Sequence, residues 1–245
     1  MAIIALQGIR SGVGTTSITA GLAWALHQLG ERVLVIDFCA QNQLCLHFNS
    51  PQTLVAGWAL AELEGRAWHQ EALRYGDGLD FLPFGQLTEA EYARWLVAHQ
   101  AAPAPWLHYL QQLRDCGDYD WLLLDLPASE SPLIRQWRAV TDALFTVLTA
   151  DANNHIRLSQ QAPEPKARLL LNQLLSNSRL QQDLQQYWRE HLAAMLPLSL
   201  HRDEAMAESL AAKQPVGEYS AVSLVSDELN VLAGWCLANV SKEPN

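Results

Sequence analysis

Positive charge is scarce in this chain. Only 16 Lys+Arg stand against 26 Asp+Glu, a formal net charge of −10, and the cations form no cluster. Such a field repels phosphate backbones and anionic lipid heads, which argues against non-specific binding to nucleic acid or to a bare anionic membrane. Cysteine is sparse too. Cys39, Cys45, Cys116 and Cys236 show no Cys-x-x-Cys spacing and no nearby histidine pair, so free thiols in a reducing compartment are expected rather than a zinc or iron–sulfur site. His155, His191 and His201 likewise have no companion at metal-ligand spacing. Long apolar runs are missing: no stretch approaches the ~20 residues of a membrane helix. The first eight residues, MAIIALQG, are too short an apolar run, without a basic flank, for a signal peptide. A soluble, cytoplasmic protein is expected. At 245 residues, 49% hydrophobic and 17% charged, the chain reads as one globular domain over 1–245.

What is present is a rhythm of short apolar runs and longer amphipathic ones, the pattern of a doubly wound, mostly parallel α/β sheet with helices on both faces. Strands are expected at residues 2–7, 32–38, 80–84, 120–126, 143–149, 167–172 and 196–201. Helices are expected at 16–29, 179–192, 204–213 and 223–240. Residues 50–78, with Trp58 and Trp68, and 98–105, flanked by Trp95 and Trp106, are rich in Ala, Gln and Pro and read as helical insertions. Of the nine tryptophans most are expected to be packing residues, with one or two available to anchor a partner. Residues 225–240 contain no Lys or Arg, and only Lys242 follows. A helix lying in a membrane surface wants cations on its polar face, so this one is expected to pack on the domain.

The first strand runs into Gly8-Ile9-Arg10-Ser11-Gly12-Val13-Gly14-Thr15-Thr16-Ser17 and then a helix. Glycines allow a tight turn, successive N–H groups can point inward, and the helix N-terminus adds partial positive charge. Together these make a phosphate cradle. The lysine that ordinarily closes such a loop is absent: Thr15 stands between Gly14 and Thr16, and the nearest cation is Arg10. Asp37 and Asp125 end hydrophobic strands, at the edge where open α/β sheets bind ligands. Either can hold magnesium through water while Thr16 binds it directly, or can simply cap a loop. Asn172 offers a donor and an acceptor to an adenine edge but also suits a turn. Arg202 suits phosphate, ribose or an exposed salt bridge.

These segments resemble the ParA/MinD class of P-loop nucleotide-binding proteins, with their deviant phosphate loop. In that loop a signature lysine precedes Gly-Gly-x-Gly-Lys-Thr and reaches across a dimer to the partner's nucleotide. Here Arg10 takes the signature position, Ser11-Gly12-Val13-Gly14 follow, Thr15 replaces the loop lysine, and Thr16 keeps the hydroxyl. Residues 33–39 (VLVIDFC) resemble the class's second-strand Asp-x-Asp motif, with Cys39 in place of the second aspartate. Residues 122–127 (LLLDLP) resemble its Walker B segment. Asn172, and residues 201–208 with 213–216, resemble its base-binding regions. The Arg10/Thr15 loop together with the C-terminal region is most similar to the cellulose-biosynthesis branch, the BcsQ family.

That resemblance implies ATP and Mg2+ as cofactors. It implies nucleotide contacts from Arg10, Ser11, Gly12, Val13, Gly14, Thr15, Thr16, Ser17, Asn172, Arg202 and Pro215. Magnesium would be held by Thr16 directly and by Asp37 and Asp125 through water. It further implies a homodimer with Arg10 in trans, and an accessory role in assembling or placing the cellulose secretion machinery, hence in biofilm formation. The companions it implies are BcsR and BcsE, with recruitment from the cytoplasm to the inner-membrane cellulose synthase at the cell pole. No nucleic acid and no membrane insertion are expected. In the class, the aspartate at the Cys39 position orients the attacking water, which a thiol protonated at neutral pH does not reproduce. No catalytic residue is assigned, and weak hydrolysis is expected; a small core residue at position 39 leads to the same expectation. The rival readings are a cycling ATPase or ATP-coupled enzyme, such as a dethiobiotin-synthetase-like ligase, and a DNA-partitioning ATPase.

Overall fold

Strands buried on both faces need no polar alternation, and runs such as Ile3-Ile4-Ala5-Leu6 and Leu122-Leu123-Leu124 are buried at every residue. The structure, a computed structural model, describes residues 1–101, 105–160 and 164–240. In chain order its elements are β1 (Ala2–Gly8), α1 (Thr15–Gln28), β2 (Val33–Asp37), α2 (Trp58–Leu63), β3 (Leu73–Gly76), β4 (Leu79–Leu82), α3 (Glu89–Ala101) and α4 (Pro105–Cys116). Then come β5 (Trp121–Leu126), α5 (Pro132–Ala139), β6 (Ala143–Thr149), α6 (Ala152–Gln160), β7 (Ala167–Leu174) and α7 (Arg179–His191). The last are β8 (Met195–His201), α8 (Glu204–Ala211), α9 (Val216–Tyr219) and α10 (Leu224–Asn239). The strands form one sheet in the order β3-β4-β2-β5-β1-β6-β7-β8. Every pairing is parallel except β3 with β4.

The two faces are covered differently. On one, Ile4, Leu6, Val35, Leu123 and Phe145 pack against Ile18, Leu22 and Leu26 of α1 and Val225, Leu229, Leu232 and Cys236 of α10. The C-terminal helix therefore turns its apolar stripe inward, as its lack of cations suggested. On the other face, Ile3, Ala5, Leu34, Ile36, Leu122 and Leu124 meet Trp58, Trp68, Trp95, Trp106 and Trp137. Among the described residues, no helix is long and apolar enough to cross a membrane.

The sequence expectation for residues 50–78 needs correction. It holds α2 and a short 3-10 turn at Trp68–Glu71, but also the edge strand β3, which forms a hairpin with β4. The turn is Asp77-Gly78, with Gly78 left-handed at φ 84°, and aspartate–glycine pairs favour such turns. Half-exposed and four residues long, β3 has too little apolar content to register as a strand. The strand expected at 80–84 runs instead over Leu79–Leu82. The insertion expected at 98–105 is the junction of α3 and α4, of which 102–104 lie outside the described residues, as does Lys242.

The tryptophans in and beside the expected insertions form an aromatic floor beneath one strand end. Trp58 is fully buried, its Nε1 donates to the Asp37 carbonyl at 2.7 Å, and its ring lies 4.5 Å from that of Trp106. Trp58→Ala is expected to destabilise the chain by about 3–5 kcal/mol in urea unfolding, the range for emptying a buried indole site. A loss under ~1 kcal/mol would show that this floor is not a packed core.

Candidate functional site

The C-terminal ends of β1, β2 and β5 converge on one sheet edge, where the loop residues, Asp37, Cys39 and Asp125 come together. Gly14 starts α1 in a left-handed conformation, φ 88°, with no side-chain cap and no acidic residue in the first helical turn. A Cβ on Gly14 would lie 2.7 Å from Asn172 Nδ2, so any larger residue would displace either the loop or β7. Among the described residues, no group accepts a hydrogen bond from the backbone N–H of Gly12, Val13, Gly14, Thr15 or Thr16. Uncapped N–H groups at a helix N-terminus form an anion-binding cradle.

Beneath the loop lies an acidic pocket floor. Thr16 Oγ1 donates to Asp125 Oδ2 at 2.7 Å. Asp37 and Asp125 are register partners on adjacent strands, and both are fully buried. Asp37 accepts from the N–H groups of Cys39 at 2.8 Å and Leu44 at 3.2 Å, so it does cap the turn after β2. Asp125 Oδ1 has no hydrogen-bond partner. Burial pushes both carboxyls above the usual carboxylate range; for Asp37 the neighbouring Asp125 adds to the rise, and for Asp125 the Thr16 hydroxyl opposes it. A buried carboxylate pair of this kind is stabilised by a cation placed between its members. The orphaned oxygen and the Thr16 hydroxyl fit a hard divalent ion at the foot of a phosphate cradle. Cys39 sits beside them with its thiol directed at the Asp125 carbonyl, 3.7 Å away. Burial, with Asp125 and Asp37 nearby, drives that thiol well above its ordinary range, so it stays protonated and supplies no general base.

The structure ties the other predicted residues to particular partners. Asn172 is buried, and its Nδ2 donates to the Val13 carbonyl at 2.8 Å, so it braces the loop from below. The next residue, Gln173, is left-handed at φ 57°; backbone strain of this sort concentrates at functional edges. Ser17 Oγ meets His47 Nε2 at 3.3 Å, and burial pushes His47 down to about 4, so the ring is neutral there. Arg10 is held within its own chain: its Nη2 lies 3.1 Å from Asp151 Oδ2 and 3.3 Å from Thr149 Oγ1, and its Nη1 donates to the Ser11 carbonyl. Arg202 is exposed, its backbone N–H donating to the Leu174 carbonyl. Pro215 is buried ahead of α9. Neither forms a hydrogen bond to the loop among the described residues; Arg202 is tied through its backbone to β7, two residues beyond Asn172.

Several supporting residues escaped the sequence reading. Asp151 also accepts from Thr149 Oγ1 and the Asn154 N–H, which fixes the acceptor that holds Arg10. Its position just after β6 on the ligand-bearing edge was a usable signal. Gln7 donates to the carbonyls of Pro127 and Ser129 and accepts from Arg138, which also pairs with Glu130. This fastens the segment after β5 to the end of β1. Nothing in local spacing marks Gln7, since its partners lie more than a hundred residues away.

Comparison with known proteins agrees with this geometry. The family profile described as "Cellulose biosynthesis protein BcsQ" matches residues 1–237. The cellulose biosynthesis protein BcsQ of Escherichia coli (strain K12) is 46% identical over 248 residues, covering 98% of this chain and 96% of that protein. Among solved structures, the septum site-determining protein MinD complexed with Mg-ADP from Pyrococcus horikoshii OT3 superposes with a TM-score of 0.76. It is 17% identical and covers 99% of each chain. A cobyrinic acid a,c-diamide synthase from Mycobacterium smegmatis with bound ATP analogue and magnesium reaches 0.74 at 18% identity, covering 100% of this chain and 97% of that one. At these identities the structural matches establish the fold alone, a P-loop sheet of the ParA/MinD type.

Proposed function

Since this chain belongs to the family of cellulose biosynthesis protein BcsQ, we propose that it acts in cellulose biosynthesis as an ATP-binding dimer switch that hydrolyses ATP only weakly. The observation that carries this is the uncapped loop of Gly12–Thr16 above Thr16, Asp37 and Asp125, with Cys39 where a water-orienting carboxylate is needed. The cradle N–H groups hold the phosphates, with Ser11 and Ser17 at its margins. Thr16 takes magnesium directly, and Asp37 and Asp125 take it through water. The metal, when bound, supplies charge neutralisation at the phosphates. Asn172, with Arg202 and Pro215 on neighbouring segments, serves the base side. The whole chain, 1–245, works as a single nucleotide-binding domain.

Two copies face each other through their nucleotides, each Arg10 leaving Asp151 to reach the partner's phosphates. Support comes from the weakness of the tether: the pair is about a third exposed on both sides, and such exposed pairs contribute little. The dimer serves assembly or polar placement of the cellulose synthase machinery from its cytoplasmic side, with BcsR and BcsE as companions, a reading suggested by the resemblance to the BcsQ family. An ATP-coupled enzyme reading draws on the shared fold alone, and Thr15 and Cys39 both weigh against it.

Calorimetry on protein stripped of nucleotide tests the first step. Binding of Mg·ATP is expected as a saturable heat with one site per chain, because the backbone cradle does not depend on the missing lysine. No heat and no thermal shift at millimolar ATP would remove the nucleotide reading.

A further inference from the structure

Pro215 forms no hydrogen bond to the phosphate loop, yet one buried side chain connects the segment before it to the helix that the loop begins. His47 is 2% exposed and lies in a 3-10 turn, Leu44–Phe48. Its Nε2 meets Ser17 Oγ in the first turn of α1. The same ring is hydrogen-bonded to the backbone of Gln214, the residue before Pro215. A neutral imidazole has one donor and one acceptor, and a carbonyl can only accept. The ring therefore donates to the Gln214 carbonyl and accepts from the Ser17 hydroxyl.

The turn is fastened at both ends as well. The Leu44 N–H donates to Asp37 Oδ2 at 3.2 Å, and the Asn49 N–H donates to the Lys213 carbonyl at 3.0 Å. Asn49 and Lys213 are both left-handed, at φ 55° and 59°. That conformation costs a side-chain-bearing residue energy and persists where the surroundings over-determine it. An apolar ring in place of His47 would fill the same space but leave the Ser17 hydroxyl and the Gln214 carbonyl without this partner. We propose that His47 is a positioning residue for the nucleotide: it clamps residues 213–215 to the first turn of α1, so that contacts to the base and contacts to the phosphates form as one unit. This rests on the nucleotide reading above, with Pro215 on the base side. With the clamp in place the base meets a segment that is already ordered; without it, ordering that segment is charged against binding. The phosphates do not need the clamp, since the cradle N–H groups belong to the loop itself.

Calorimetry on the full chain stripped of nucleotide tests it with two ligands, Mg·ATP and Mg·tripolyphosphate, the second carrying the phosphates and no base. The parent binds ATP more tightly, and the ratio of the two affinities reads the base side. His47→Phe keeps a buried ring and removes both polar contacts. It lowers the ratio at least about fivefold and leaves tripolyphosphate binding within about twofold of the parent. Ser17→Ala lowers the ratio as well, and the double variant is no worse than His47→Phe alone, because the two residues act through one contact. Should His47→Phe not fold, Ser17→Ala carries the test by itself, since any loss at the phosphates cancels in the ratio. A ratio that either folded variant leaves unchanged, additive losses in the double variant, or a parent that holds both ligands equally overturns the clamp while the nucleotide reading stands. A parent that binds neither ligand removes both.

Discussion

Thr15→Lys and Cys39→Asp, introduced together, are expected to raise steady-state phosphate release at saturating Mg·ATP at least about tenfold, the low end of what one positioned group contributes. Phosphoryl transfer depends on charge neutralisation and on placing the attacking water, with little covalent chemistry for the protein to perform. Thr15 leaves the β/γ-phosphates without the cation that normally meets them. At position 39 the side chain lies against Asp37 and Asp125, where an aspartate could hold water and a buried thiol cannot. Each single change leaves the other defect in place, and groups that act as a unit are strongly non-additive, so neither alone is expected to restore turnover. A double variant no faster than the parent would mean that the low rate has another origin. A parent as brisk as ordinary members of its class would mean that no clamp exists.

Arg10→Ala is expected to leave the Mg·ATP-loaded protein monomeric in light scattering under conditions where the parent dimerises. A guanidinium grips phosphate with two donors, and charge-assisted hydrogen bonds contribute about 1.5–3 kcal/mol each. Two symmetric contacts then amount to about 3 kcal/mol or more, over roughly a hundredfold in the dimer Kd. The contact that Arg10 makes within its own chain gives a control. Asp151→Ala removes the tether at 3.1 Å and is expected to leave dimerisation intact or strengthen it, since Arg10 no longer has to be released. An Arg10→Ala protein that dimerises as well as the parent would place Arg10 outside the interface.

The central strands were legible because a sheet covered on both sides leaves nothing for polar residues to do: β6 lies where its apolar run lies, and β1, β2 and β5 within a residue or so. The phosphate loop was legible because its geometry is local, a few glycines between a strand and a helix. What escaped depends on pairings distant in sequence. β3 is an edge strand whose identity comes from β4 and the Asp77-Gly78 turn. Trp58, Trp68, Trp95 and Trp106 lie in or beside stretches that read as irregular insertions, because no single segment can show that they pack together in one cluster. The Asp37–Cys39–Asp125 cluster depends on the register between β2 and β5, which no spacing reveals. Arg202 and Pro215 were chosen through resemblance alone, and neither hydrogen-bonds to the loop among the described residues.

The most direct test of the switch is the mass of the particle by light scattering, with and without Mg·ATP, on protein whose copurifying nucleotide has been identified and removed. A monomer without nucleotide that doubles in mass with Mg·ATP, and stays doubled long after free ATP is withdrawn, is the predicted result. A mass that is the same in both conditions, or a dimer that collapses as soon as free ATP is withdrawn, would contradict it.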